Sequence, residues 1–305
     1  MASAKFLTPV ITAFNDQGKL DISANKAVYD KLITAGLDGL LIMGSAGEFY
    51  ALSMTERKQM IDLALDYAAD RIKVILGTGC MTIEDTIELS QYAVSAGAKH
   101  IILMSPYYFC LSDQAIYEFF SQVANAVDCE IYLYNFPDRT GYDIKPELTL
   151  KLIENYPNIV GYKDTISDMA HTRRLINKVK PLYPDFEIFS GFDENYSRNI
   201  LSNGNGAIGA LSNVFPELFA QLVEATNTQD FATVQSIQQI IDRLMSLYDI
   251  TDCFIPIIKK AMSLRGIAVT DNSRSPLLHV TTEQTKNIQE IIDTAGVEQF
   301  INANQ

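Results

Sequence analysis

Short apolar runs alternate with longer segments of helical periodicity up to about residue 210, and this alternation limits the fold more than any other feature of the chain. Eight runs rich in β-branched and aromatic residues predict strands. They cover residues 7–12, 39–43, 73–77, 100–104, 130–134, 159–163, 187–190 and 207–210. Segments of helical period between them include residues 55–69, 82–96 and 113–126. Thr55 and Thr82 are predicted N-caps of two of these helices, each followed by an acidic first turn.

Most of the predicted strands are continuously apolar, as in HIILM at residues 100–104. This pattern is typical of a parallel sheet that is covered on both faces. Strict alternation of eight strands with helices favours a closed (β/α)8 TIM barrel over an open sheet. Beyond residue 215 the pattern predicts only helices, including residues 231–248 and 253–264. We therefore predict an α/β fold with a catalytic barrel at residues 1–225 and a packed C-terminal helical extension at residues 226–305.

The composition excludes some classes of partner. The formal charge is −13, with 37 acidic and 24 basic residues, so the chain lacks the basic surface that nucleic-acid binding requires. Four cysteines without metal-type or paired spacing favour a reducing compartment. The first residues do not resemble a signal peptide, and no apolar stretch approaches the roughly 18 residues that span a bilayer. We expect a soluble, cytoplasmic protein with no membrane partner.

Active sites of TIM barrels form at the carboxyl ends of the strands. Lys163 lies at such an end, directly after the apolar run NIVGY. Most lysines occupy solvated helix faces, which does not explain a lysine at the end of a strand buried on both sides. Burial disfavours a charged ammonium and so exposes the neutral amine that attacks a carbonyl group. The pattern alone leaves both a catalytic and a structural Lys163 open.

Neighbouring strand ends offer groups that suit the same chemistry. Schiff-base reactions need proton transfer, which the Tyr134 phenol can perform with a relay hydroxyl such as Ser45; a core tyrosine is the alternative. Small residues and backbone N–H groups at 44–48 suit a carboxylate, although glycine at such turns often has only a conformational role. The planar Arg139 guanidinium also fits a carboxylate, unless it is a surface side chain paired with Asp138.

The sequence predicts no metal and no cofactor. His100, His171 and His279 are scattered along the chain and do not form a metal-binding set, so a structural role is expected for each. The GTG run at residues 77–79 lacks the third glycine and the acidic residue of a dinucleotide-binding motif.

Taken together, the strand ends resemble the dihydrodipicolinate synthase/N-acetylneuraminate lyase family of class I aldolases. GSAGEFYAL, SPYY, LYNFPDRTG, GYKDT and SGFDEN occur in the order and spacing of that family. The resemblance runs from about residue 6 to the C-terminal helices. It implies a TIM-barrel enzyme that forms a pyruvate Schiff base and assembles as a homotetramer, built as a dimer of dimers.

The resemblance also implies roles for individual residues. Lys163 would form the Schiff base, Tyr134 would be the proton shuttle, and Ser45 would supply the hydroxyl of the strand-2 loop. Tyr108, from the PYY sequence, would be lent to the site of a neighbouring subunit. The predicted substrate-binding residues are Ala46 and Gly47 in the strand-2 loop, Arg139, Gly191, and Ile208, whose carbonyl would face the imine.

Departures from the synthase pattern bear on the substrate. Ser45 and Ala46 stand where synthases usually carry two threonines, and Phe49, Tyr50 and Met54 replace polar residues that bind lysine in feedback-regulated synthases. Lysine inhibition is therefore not expected. GSAGEFYAL, LYNFP and KDTISDMAH look most like aldolases that act on 2-keto-3-deoxy sugar acids. The RTG sequence that begins at Arg139 instead resembles the synthases.

The predicted reaction is reversible cleavage of a 2-keto-3-deoxy sugar acid, such as 2-keto-3-deoxygluconate, to pyruvate and an aldehyde. One alternative is dihydrodipicolinate (4-hydroxy-tetrahydrodipicolinate) synthase, which condenses pyruvate with aspartate semialdehyde. A second is a sugar-acid dehydratase that uses the same lysine. A third, of another class, is a non-catalytic barrel that senses a keto acid; a binding protein has no need of an amine nucleophile, so Lys163 counts against it.

Overall fold

Eight strands close a barrel in the computed structural model, which describes residues 3–303. The strands follow one another around the barrel in sequence order, which confirms the predicted TIM barrel. They are β1 (Lys5–Pro9), β2 (Gly39–Ile42), β3 (Lys73–Gly77), β4 (His100–Met104), β5 (Glu130–Asn135), β6 (Ile159–Asp164), β7 (Glu187–Ser190) and β8 (Gly206–Ile208).

Helices occupy most of the connections between strands and most of the chain after β8. They are α1 (Ile22–Thr34), α2 (Met54–Ala68), α3 (Ile83–Ser95), α4 (Asp113–Ala126), α5 (Pro137–Thr140), α6 (Pro146–Asn155), α7 (Met169–Val179), α8 (Tyr196–Leu201), α9 (Pro216–Asn227), α10 (Phe231–Leu244), α11 (Phe254–Leu264), α12 (Thr282–Ala295) and α13 (Val297–Ala303). Residues 215–303 contain no strand, as predicted. Over residues 3–303 no helix is both long enough and apolar enough to cross a bilayer.

One of the two predicted helix caps is wrong. Thr82 caps α3 as predicted, because its side chain accepts a hydrogen bond from the backbone N–H of Asp85 at 3.2 Å. Helix α2 begins one residue earlier than predicted, at Met54, so Thr55 lies inside its first turn and cannot be the cap.

Strand β1 also ends earlier than the apolar pattern predicts. The chain remains buried beyond Pro9, but side-chain amides replace the strand ladder there. The backbone N–H of Ile11 donates to Asn213 Oδ1 at 3.2 Å, and that of Ala13 donates to Asn25 Oδ1 at 3.0 Å. Buried backbone groups need partners of some kind, and a periodicity of apolar residues does not reveal whether a strand or a side chain supplies them.

The chain packs as two compact units. Residues 54–208, with β3 to β8, form the first; residues 4–53, with β1 and β2, form the second together with the chain from residue 209 onward. The predicted division at residue 225 stays a prediction, and helix α9 runs across it.

In the first unit, β5 and β6 are paired in a register that includes a bulge between Ile131 and Tyr132. Tyr132 lies opposite Gly161, and its ring occupies the space where a side chain at Gly161 would stand. A Cβ atom added at Gly161 would lie 2.2 Å from the Tyr132 ring. The Tyr132 hydroxyl contacts Glu187 and lies 2.6 Å from Lys73 Nζ, so the ring has little freedom to move away. Gly161 is therefore required for the packing of the strand that ends in Lys163.

We expect Gly161→Ala to lower the free energy of unfolding by about 1–3 kcal/mol, because the added methyl group overpacks a buried site. Urea unfolding of the two proteins measures the difference. In a Tyr132→Leu background the same methyl group has more space, so its cost should shrink. An equal cost in both backgrounds would show that the Tyr132 ring is not the obstacle.

Candidate active site

Lys163 and Tyr134 lie directly opposite each other at the ends of β6 and β5. The Lys163 Nζ atom is 4.2 Å from the centroid of the Tyr134 ring. Both residues are buried, with exposed fractions of 3% and 4%. Among residues 3–303, no carboxylate lies within ion-pair distance of this amine. Lys163 is thus neither a solvated surface lysine nor half of a salt bridge, and the structure brings it together with the predicted proton shuttle.

The residues on either side of Lys163 anchor the strand from its other face. Side chains alternate along a strand, so Tyr162 and Asp164 point away from Tyr134. The Tyr162 hydroxyl donates a hydrogen bond to the Ile144 carbonyl at 2.6 Å. The Asp164 carboxylate accepts hydrogen bonds from Thr172 Oγ1 at 2.6 Å and from Asn135 Nδ2 at 3.1 Å. These contacts fix the backbone from which the Lys163 side chain extends.

His171, in the first turn of α7, lies between two carboxylates. Its Nδ1 atom is 2.8 Å from Asp164 Oδ2, and its Nε2 atom is 3.2 Å from Asp143 Oδ1. Burial by itself would lower the pKa of His171, but the two carboxylates outweigh burial and raise this pKa to about 9. Burial likewise opposes ionisation of Asp143, yet His171 and Asn135 hold the pKa of Asp143 below its usual range. The imidazolium joins β6 to the segment that follows α5, the helix of Arg139.

His100 and His171 lie far apart in the structure. His100 lies 3.3 Å from Glu130 at the amino-terminal ends of β4 and β5, whereas His171 lies on α7. Within the described part of the chain, no three histidine, cysteine or acidic side chains are grouped closely enough to bind a metal ion.

Arg139 is exposed on the short helix α5, and an aromatic ring links it to Tyr134. Its guanidinium carbon is 5.7 Å from the centroid of the Phe136 ring, which in turn stacks on Tyr134 with centroids 6.2 Å apart. Over residues 3–303 its guanidinium has no carboxylate at ion-pair distance, so the pairing with Asp138 that the sequence allowed is not formed. The charge of Arg139 remains available to a ligand.

Gly191 and Ile208 lie at the ends of the next two strands. The backbone N–H of Gly191 donates to the Asp164 carbonyl at 2.7 Å. A Cβ atom at Gly191 would lie 1.9 Å from Thr165 Oγ1, so only glycine permits this close approach. Ile208 is the last residue of β8 and is fully buried.

Tyr108 differs from the other predicted site residues of this unit. It lies in the segment after β4 and is 78% exposed. It packs edge-on against Phe109, which is also exposed, with ring centroids 4.8 Å apart. An exposed aromatic side chain of this kind contrasts with the buried pair Lys163 and Tyr134.

The predicted carboxylate-binding residues Ser45, Ala46 and Gly47 form a tight turn after β2, in the second unit. The Gly47 backbone N–H donates to the Gly44 carbonyl at 3.0 Å. The Gly47 carbonyl accepts a hydrogen bond from Thr12 Oγ1 at 2.7 Å. Ser45 is half-buried and Ala46 is buried. The turn is thus closely packed and held from the segment that follows β1.

Sequence reasoning missed a buried ion pair beside this turn. The Lys259 Nζ atom lies 2.5 Å from Glu48 Oε1, and both side chains are fully buried. Burial lowers the pKa of Lys259, and the Glu48 carboxylate opposes that effect. A signal was present in the sequence, because Lys259 interrupts the apolar helix FIPIIKKAMSL on its buried side.

We expect the charged form of His171 to stabilise the fold. Its pKa is about 9 in the folded protein against an ordinary value of 6.5. A raised folded-state pKa gives stability that is fully present below the unfolded pKa and lost as the pH rises through the folded one. Between about pH 6 and pH 9.5, wild type should therefore lose about 2–3 kcal/mol relative to His171→Gln.

Urea unfolding across this pH range measures the effect. His279→Gln, which removes an exposed histidine, is the control and should follow the wild-type curve. Parallel curves for wild type and His171→Gln would contradict a charged His171.

Solved structures resemble this chain along nearly its whole length. YagE from Escherichia coli K12, a prophage protein of the dihydrodipicolinic acid synthase family crystallised with pyruvate, superposes with a TM-score of 0.94 at 34% identity, covering 97% of this chain and 100% of YagE. Dihydrodipicolinate synthase from Aquifex aeolicus gives a TM-score of 0.90 at 28% identity, covering 96% and 98%.

Sequence relatives carry two kinds of name. YagE, provisionally named a 2-dehydro-3-deoxy-D-gluconate aldolase, is 38% identical over 270 residues, covering 88% of this chain and 89% of YagE. YjhH, also from E. coli K12 and provisionally named a 2-dehydro-3-deoxy-D-pentonate aldolase, is 32% identical over 291 residues, covering 95% and 97%. The 4-hydroxy-tetrahydrodipicolinate synthase of Nitrosospira multiformis is 32% identical over 292 residues, covering 96% and 95%.

The sequence profile described as "Dihydrodipicolinate synthetase family" matches residues 2–295. With a match over nearly the whole chain, a closed barrel of eight strands and a buried lysine at the end of β6, this protein belongs to the dihydrodipicolinate synthetase family.

Proposed function

We propose that this protein is a pyruvate-dependent class I aldolase that reversibly cleaves a 2-keto-3-deoxy sugar acid, such as 2-keto-3-deoxygluconate, to pyruvate and an aldehyde. The observation that carries the proposal is the buried Lys163 amine, 4.2 Å from the Tyr134 ring and without a carboxylate partner among residues 3–303. A nucleophilic amine needs an accessible lone pair and a nearby group that transfers protons. Lys163 would supply the amine, and Tyr134, its partner on the neighbouring strand, would transfer the protons.

The proposed reaction begins when the Lys163 nitrogen attacks the C2 carbonyl of the sugar acid. The carbinolamine loses water to give an iminium ion, which is the electron sink for cleavage. Tyr134 takes the proton of the C4 hydroxyl, the C3–C4 bond breaks, and the aldehyde departs. The electron pair of that bond forms an enamine, which is protonated at C3. Hydrolysis of the resulting imine releases pyruvate and restores Lys163.

Other residues complete the proposal on the strength of the family resemblance. Ser45 and Tyr108 would relay the proton that Tyr134 takes up, with Tyr108 contributed by a neighbouring subunit of a homotetramer. The backbone of Ser45 and Ala46 would hold the substrate carboxylate, and Gly47, whose own N–H closes the turn, would complete the binding loop. Gly191 and the Ile208 carbonyl would line the space around the imine. The exposure of Tyr108 suits a side chain that is offered to another subunit.

The choice of a sugar acid rests on the relatives. YagE and YjhH carry names of aldolases that act on 2-dehydro-3-deoxy acids, a synonym for 2-keto-3-deoxy acids, and the solved YagE structure contains pyruvate. Such acids and pyruvate share the 2-oxo carboxylate that a lysine Schiff base recognises. We also propose that the protein acts in the cytoplasm, without a metal or another cofactor.

We expect borohydride with pyruvate to fix one carboxyethyl group on Lys163, because the reduced imine can no longer hydrolyse. Peptide mass spectrometry locates the adduct. Lys163→Met should abolish it, whereas Lys180→Met, which removes another buried lysine of the same unit, should not. Tyr134→Phe should keep the adduct but lower the turnover number by about a hundredfold. An adduct on another lysine would contradict the assignment.

The synthase reaction is the second candidate, and it is favoured by the charge of Arg139, which has no carboxylate partner among residues 3–303. Aspartate semialdehyde carries a carboxylate at the end distant from its aldehyde, which a planar guanidinium binds well. A sugar acid has only neutral hydroxyl groups at that end.

Arg139→Ala should distinguish the two reactions. If the protein is an aldolase, the variant should retain most of its kcat/KM for cleavage of 2-keto-3-deoxygluconate. If it is a synthase, condensation with aspartate semialdehyde should fall by about a hundredfold, because a charge-assisted contact is lost. Pyruvate release across a panel of 2-keto-3-deoxy acids, with wild type and Arg139→Ala side by side, measures the first activity. Product formation from pyruvate and aspartate semialdehyde measures the second.

A further inference from the structure

The turn after β2 is bracketed by two residues with an unfavourable backbone conformation. Met43, before the turn, has a φ angle of +58°, and Glu48, after it, has a φ angle of +52°. Residues with a Cβ atom rarely adopt this left-handed region. Such strain persists only where the surroundings hold it, and it concentrates at functional sites. The turn of residues 44–47 therefore depends on an external support.

Glu48 provides the attachment for that support. One of its carboxylate oxygens lies 2.5 Å from Lys259 Nζ, and the other accepts a hydrogen bond from the backbone N–H of Arg274 at 2.9 Å. Lys259 donates a further hydrogen bond to the Asn272 carbonyl at 2.8 Å. Glu48 and Lys259 are both inaccessible to solvent. The carboxylate is thus held from helix α11 and from the segment that follows this helix.

Arg274, in the segment after α11, makes further contacts within the second unit. The Arg274 guanidinium donates from Nη1 to the Ala51 carbonyl at 2.9 Å and from Nη2 to the Gly18 carbonyl at 2.8 Å. The Phe14 ring lies beneath both cations, with Lys259 Nζ 4.7 Å and the Arg274 guanidinium carbon 4.6 Å from its centroid. These contacts join the two stretches of chain that make up the second unit, residues 4–53 and the chain from residue 209 onward, around Glu48.

A buried ion pair contributes little net stability to a fold. Removing two charges from water opposes folding, and apolar residues of similar size are often equally stabilising. An ion pair does provide geometric precision, because it fixes the position of one atom relative to another. Here the fixed atom belongs to Glu48, the residue directly after Gly47. The ion pair therefore acts most directly on the backbone position of the turn.

We propose that Glu48 and Lys259 are positioning residues that hold the backbone N–H groups of Ser45 and Ala46 toward a bound carboxylate. This role rests on the proposed function, in which that turn binds the carboxylate of pyruvate or of the sugar acid. Without the pair, Glu48 relaxes toward an ordinary φ angle and the turn rotates with it. Carboxylate affinity then falls, while the reactivity of Lys163 toward a ketone does not.

The test compares pyruvate with methyl pyruvate, which keeps the 2-oxo carbon but lacks the carboxylate charge. Borohydride trapping is measured against the concentration of each ketone for wild type and for Glu48→Gln combined with Lys259→Met, which leaves no buried charge without a partner. We expect the half-saturating concentration of pyruvate to rise about tenfold or more in this double variant. The value for methyl pyruvate should change by less than about twofold, since uncharged ketones gain little from the turn.

A matched control lies one residue away. Lys260 and Asp271 form a partly exposed ion pair at 3.1 Å between the same helix and the same segment. Lys260→Met combined with Asp271→Asn should leave both half-saturating concentrations at the wild-type values. If the Glu48 and Lys259 double variant does not fold, as judged by circular dichroism, Glu48→Asp keeps the charge but shortens its reach. This variant should raise the half-saturating concentration for pyruvate alone.

Equal changes for both ketones, or no change for either, would overturn the positioning role and leave the proposed function in place. A wild-type protein that pyruvate does not trap at all would overturn the proposed function and, with it, this role.

Discussion

The pairing of β5 with β6 is the constraint on which the candidate site depends. Because Tyr134 and Lys163 are partners in a parallel register, both side chains leave the sheet on the same face, and no loop has to fold for them to meet. The bulge between Ile131 and Tyr132 sets this register, and Gly161 makes room for the Tyr132 ring below. A rigid pair of strands thus holds the proposed nucleophile and the proposed proton carrier, which is the arrangement that precise chemistry favours.

Sequence patterns were enough to predict the barrel, the strand that carries Lys163 and the neighbouring strand that carries Tyr134. Each of these depends on local periodicity and on the rule that barrel enzymes place chemistry at strand ends. The sequence failed where side chains replace local structure. Asn25 and Asn213 take over the hydrogen bonds that would otherwise extend β1, and Glu48 meets Lys259 across 211 positions of the chain. None of these contacts produces a periodic pattern in the sequence.

His171 shows the same limit in another form. A lone histidine in the sequence suggested a structural role, and the contacts agree with it. They also show what that role is. The charged ring holds Asp143 and Asp164 together, although each carboxylate alone would be costly to bury. One of these aspartates follows Lys163 directly, and the other lies in the segment after α5. A single proton on His171 therefore helps to set the spacing between the end of β6 and the segment that follows α5, the helix of Arg139.

The stack of Tyr134, Phe136 and the Arg139 guanidinium has a consequence for how such a site can diverge. The Phe136 ring packs on both Tyr134, the proposed proton carrier, and the exposed Arg139 cation. If the proposed roles hold, replacing Phe136 to accommodate a bulkier aldehyde would also disturb the Tyr134 ring. Changes at Phe136 would therefore alter substrate selectivity and reaction rate together. Loss of Arg139 leaves the ring pair intact, so evolution toward new substrates would proceed more readily there.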